Sequence, residues 1–121
     1  MTRSDTVRRV KSYSALSGYV FQYYFYEVEK TRRGLSAGTD YVYMVSADRK
    51  TAFPVRIFIR ADAVEQWNRA AGRALSGTEE YAAAKMRLFQ AFDEAVSAES
   101  LPHELQVDHA SLGALLQSLD I

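Results

Sequence analysis

The chain is 121 residues long, with 15 Lys plus Arg against 15 Asp plus Glu and 48% hydrophobic residues, which suits one globular domain that folds without disulfide or metal staples. It has no cysteine, which excludes disulfide frameworks, cysteine-ligated zinc, iron–sulfur clusters and thiol catalysis. No apolar run approaches the roughly 20 residues of a membrane-spanning helix, and Met1-Thr2-Arg3-Ser4-Asp5-Thr6 has no apolar stretch behind its charges, so a cytoplasmic protein with no membrane partner is expected.

Residues 1 to 15 carry Arg3, Arg8, Arg9 and Lys11 and suggest a flexible basic arm, able to meet phosphate or simply to stay solvated. Residues 18 to 29 are rich in aromatic and β-branched side chains and contain no proline, the composition of a long strand. A loop with Arg32-Arg33-Gly34 and Gly38 follows, then a strand over residues 41 to 47, a polar turn Asp48-Arg49-Lys50-Thr51 and a third strand over 53 to 60. Short links between consecutive strands make an antiparallel meander.

Helix formers then take over. Asp62 is placed to cap a helix that turns Val64, Trp67 and Ala71 inward and closes near Gly72. Ser76 and Glu79 have capping-box spacing, and Tyr81, Ala84, Leu88, Phe92 and Ala95 recur at helical spacing behind them. Pro102 breaks the connecting segment and argues for a loop around His103 to His109, in which Asp108 is placed to cap a last helix with Leu112, Leu115, Leu116 and Leu119 on one stripe. The expectation is a single α+β domain over residues 1 to 121, a three-stranded antiparallel meander with three helices on one face. Trp67, Tyr81, Leu88, Phe92, Val55 and Ile57 are its expected core.

An even-length turn between the second and third strands would pair residues whose numbers sum to 99. Val42 and Met44 would then join Val55, Ile57 and Ile59 against the helices, while Tyr41 and Tyr43 would share the opposite face with Arg56, Phe58 and Arg60. Those five residues are the candidate binding site. Aromatic rings beside arginines suit a protein interface, including self-association. They also suit stacking of single-stranded nucleic acid, or rings that merely tile a surface under arginine stems. No KH-type GXXG loop or aromatic RRM strand motif accompanies them. A protein partner or homo-oligomer is therefore the first expectation and nucleic acid the second.

Motifs for catalysis are thin. His103 and His109 stand near Glu104 and Asp108, but the His pair at i,i+4 around a glutamate that zinc enzymes place on a helix is missing. There is no Gly-x-Ser-x-Gly elbow, and Gly34, Gly38, Gly72 and Gly77 are isolated, which excludes a P-loop and a dinucleotide fingerprint. The carboxylate pairs Glu79-Glu80 and Asp93-Glu94 are adjacent on one helix and do not face each other across a cleft. No catalytic residue, metal or cofactor is assigned. Charge is nonetheless lopsided: residues 1 to 60 hold eleven bases and five acids, and residues 61 to 121 hold four bases and ten acids. Such halves can attract each other within one domain or face a charged partner.

Overall fold

The computed structural model describes residues 9–121. The expected basic arm falls largely on residues 1 to 8, outside the described residues; its last part is a strand. The α+β class holds, but the sheet has five strands where three were expected. They are β1 (Lys11–Ser14), β2 (Val20–Arg33), β3 (Ser36–Ser46), β4 (Phe53–Arg60) and β5 (Glu104–Val107), lying side by side in sequence order. The first four are antiparallel and β5 is parallel to β4. A parallel neighbour requires a crossover, and the segment between β4 and β5 supplies it with α1 (Ala61–Ala71), α2 (Gly77–Glu94) and a short 3-10 turn. A third helix, α3 (His109–Ser118), follows β5.

The segment expected to be a loop around residues 30 to 40 is a tight hairpin. Arg33 pairs with Ser36, so only Gly34 and Leu35 form the loop. Gly34 has φ 61°, the left-handed value that primed hairpin turns require at their first loop position. Charged and small residues on both arms hid these strand ends from propensity; pairing across the hairpin recruits them. The expected loop at 103 to 109 likewise contains β5. Its Glu-Leu-Gln-Val alternation turns Leu105 and Val107 inward, a period-two signal too short to stand out after Pro102.

The helix signals translate more directly. Ser76 and Glu79 form the reciprocal capping box of α2, and Asp108 caps α3 with Ser111. Gly72 closes α1 at φ 73°, its N–H donating to the Asn68 carbonyl. Asp62, however, is not the cap of α1: the helix starts at Ala61, and Asp62 sits in the first turn, where its carboxylate suits the helix dipole and accepts two bonds from Arg60. Leu88, Phe92, Val55 and Ile57 are buried as expected, whereas Trp67 and Tyr81 are half-buried and Ala71 is exposed. Leu112, Leu115 and Leu116 dock on their own domain.

Glu79 carries a pH signature. Bonds from the Arg73 guanidinium and the Ser76 backbone N–H hold its carboxyl at about 2, below its ordinary 4.5. A carboxyl depressed on folding contributes stability that is complete above its unfolded pKa and is lost as pH falls through the folded one. Acid titration of stability is therefore expected to fall between pH 4.5 and about 2. Glu79→Gln should flatten that limb; an identical acid limb in the variant would remove Glu79 from the cause.

Candidate functional site

The five residues expected on one sheet face are divided by the observed register. Partners on β3 and β4 sum to 98, with Tyr41 opposite Ile57 and Tyr43 opposite Val55. The last pair, Val45 and Phe53, encloses an odd loop of seven residues, 46 to 52. Side chains build that loop: Asp48 accepts from the backbone N–H groups of Lys50 and Thr51 at 2.8 Å, Ser46 Oγ accepts from the Arg49 N–H at 2.9 Å, and Arg49 takes φ 65°. One residue of parity exchanges the faces. Tyr41 and Tyr43 therefore lie among Val55, Ile57 and Ile59 under the helices, with 5% and 1% of their surface exposed. Tyr41 donates to Glu80 at 2.7 Å, and burial foremost pushes both hydroxyls far above their ordinary pKa.

Phe58, Arg56 and Arg60 remain on the other face. Phe58 is fully buried there: its ring lies against the bare backbone of Gly38 and beneath the Arg33 guanidinium, 4.8 Å from the ring centre. Arg33 also pairs with buried Asp40 at 3.1 Å and with Glu104 at 3.5 Å. Arg56 meets Glu29 at 3.5 Å and Arg60 meets Asp62 at 2.7 Å. The basic and acidic halves of the chain thus engage each other directly, through Arg33 with Glu104, Arg60 with Asp62, Tyr41 with Glu80 and Tyr13 with Asp93. His103 stacks on Phe53, and His109 opens α3. Among the described residues no three His, Asp or Glu side chains are grouped to hold a metal.

Two other features stand out. The first is the outer edge of β2. Strand β1 covers it only from Val20 to Tyr23; residues 24 to 33 have β3 on one side and, among the described residues, no strand on the other. A bulge at Tyr26 shifts the β2–β3 register between Phe25 and Glu27, and residues 26 to 30 are exposed. Past the bulge the edge is a regular run, Glu27-Val28-Glu29-Lys30-Thr31-Arg32-Arg33, ending at a turn whose Leu35 is 98% exposed. Sequence reading missed this edge because it assigned half of that run to a loop.

The second is a cleft of about 320 Å³ where the β3–β4 loop overhangs the sheet. Gln22, Tyr24, Met44 and Ser46 line it from β2 and β3, Val10 from the chain before β1, and Arg49, Lys50, Thr51 and Ala52 from the loop. The Gln22 amide oxygen is sealed from solvent without a hydrogen-bond partner. Asp48 contributes nothing to this lining; its carboxylate is occupied by the loop backbone, which holds it below the ordinary carboxylate range. Compared with models of known protein families, with curated proteins and with solved structures, the chain matches none.

Proposed function

We propose that the protein is a small non-enzymatic interaction module that self-associates through the outer edge of β2. The edge carries this reading: among the described residues its row of backbone donors and acceptors has no neighbouring strand, and such a row is a template for strand addition. Joining the same edge of two copies in antiparallel fashion keeps like faces on the same side of the joint sheet. Opposed residues must then have numbers with an even sum.

The register centred on Lys30 overlaps the whole regular run between bulge and turn. It sets Glu27 against Arg33 of the second copy, twice by symmetry, and Glu29 against Thr31 of the second copy with Arg33 of the second copy on the diagonal. To meet that carboxylate the Arg33 guanidinium turns outward, exchanging its place over Phe58 and its contact with Glu104 for Glu27 of the second copy. Lys30 meets its own copy at the axis on the other face, where long stems diverge into water. A single-stranded nucleic acid on the sheet face has less support, since Tyr41 and Tyr43 are in the core and Arg56 and Arg60 are paired to acids.

A cysteine-free chain makes the test direct. Lys30→Cys places a thiol beside its own copy at the axis, within disulfide reach, and should cross-link on mild oxidation, whereas Leu35→Cys at the exposed turn should not. Sedimentation of the unmodified chain at micromolar concentration should show a dimer, and Glu27→Lys, which opposes two like charges, should shift it to monomer. A monomeric chain, or equal cross-linking at positions 30 and 35, would overturn the proposal, and a salt-dependent oligonucleotide shift by that monomer would favour the nucleic-acid reading.

A further inference from the structure

We infer that the cleft under the β3–β4 loop is a binding site for a small amphipathic acid: a compact apolar body bearing a carboxylate and an N–H or O–H donor. Three observations on separate elements converge on that chemistry. Met44 and Tyr24, on adjacent strands and opposite each other in register, give an apolar floor, extended by Val10 and Ala52. The loop adds Arg49 and Lys50, and among the described residues no carboxylate joins the lining. Among the described residues neither cation has an ion-pair partner; the acid nearest them in sequence, Asp48, is turned into the loop by its backbone bonds. Among the described residues an anion entering the cleft therefore meets two unneutralised cations and no like charge.

Gln22 supplies the third element. A buried amide oxygen without a donor is costly, and a ligand N–H or O–H that reaches it removes the cost. The last torsion of glutamine is broad, so a small rotation presents the oxygen to the cleft. The volume, about 320 Å³, lies at the small end of ligand sites and limits the occupant to one bicyclic ring or a short chain. Arg49 and Lys50 lie on the loop, remote in sequence from the β2 run that carries self-association, so either proposal can fail alone.

The probe is indole-3-acetate, which has the apolar body, the carboxylate and a ring N–H, followed by ¹H–¹⁵N NMR titration of the whole chain. Saturable shifts confined to Gln22, Tyr24, Met44 and residues 46 to 52 are expected, with Kd on the order of 1 mM for a ligand of this size. Arg49→Asn with Lys50→Ala should weaken binding about tenfold or more; asparagine is chosen because it tolerates the left-handed backbone. Indole-3-ethanol, without the charge, and 1-methylindole-3-acetate, without the donor, should each bind more weakly than the probe. In Gln22→Leu the preference for the N–H compound over its N-methyl analogue should vanish. Shifts that do not saturate, that centre elsewhere on the sheet, or that are indifferent to the loop variant would overturn the assignment. Equal binding of all three compounds would reduce the cleft to a nonspecific apolar hollow and overturn it as well.

Discussion

Phe92→Ala is expected to destabilise the protein by about 3 to 5 kcal/mol, the range for removing a large buried ring. Phe92 on α2 has no solvent exposure. Its ring stacks on Phe21 of β2 with centroids 4.5 Å apart and planes 7° apart, and Tyr13, Tyr23 and Phe89 approach it at 5.5, 5.9 and 6.4 Å. Alanine would therefore lose transfer free energy, leave a void among rigid rings and forfeit the aromatic contacts. A domain of this kind has roughly 5 to 15 kcal/mol in total, so the variant should be close to unfolded at 37 °C. Urea unfolding followed by the fluorescence of Trp67 measures it. Phe92→Leu should recover more than half of the loss because it keeps most of the volume; a cost below about 1 kcal/mol for alanine would mean that the helix joins the sheet elsewhere.

Gly38→Ala is expected to cost about 3 kcal/mol, the upper end of ordinary overpacking, although it adds one methyl group. Gly38 lies on β3 opposite Arg60. A Cβ built there would stand 2.5 Å from the Ile59 carbonyl oxygen and 2.6 and 2.7 Å from two atoms of the Phe58 ring. The ring could swing aside only by lifting Arg33 away from Asp40 and Glu104, and the carbonyl belongs to the β4 backbone. The double variant isolates the second obstacle: in a Phe58→Leu background the ring clash is gone, yet Gly38→Ala should still lower the urea midpoint because Ile59 cannot move. Equal midpoints in that background would show that the ring alone demanded glycine. Phe58→Ala should also prove a core change rather than the loss of a surface anchor.

Local chemistry made the helices legible in the chain. Ser76 with Glu79, Asp108, and Gly72 are side-chain or backbone solutions to unpaired helix ends, and each works within four residues of itself. Composition likewise marked the three long strands, because the aromatic run of β2 and the alternation of β4 need no distant partner to be noticed. The candidate site was not legible, since faces and edges depend on pairing. Tyr41 and Tyr43 move from an expected binding surface to the core through the parity of one loop, set by bonds from Asp48 and Ser46 to their neighbours' backbone and by the left-handed Arg49. Among the described residues Glu27 to Arg33 have a strand on one side only, because β1 pairs with β2 no further than Lys11 opposite Tyr23. Strands β1 and β5 exist only by pairing with longer neighbours, and the extra residue at Tyr26 changes which side chains of β2 follow Phe25 onto the helix side. Caps and periodicity act over one or two turns of chain and were therefore written in the order of residues. Register, edge exposure and the cleft arise where segments far apart in sequence meet, and there a single unpaired residue decides which side of the sheet every following side chain faces.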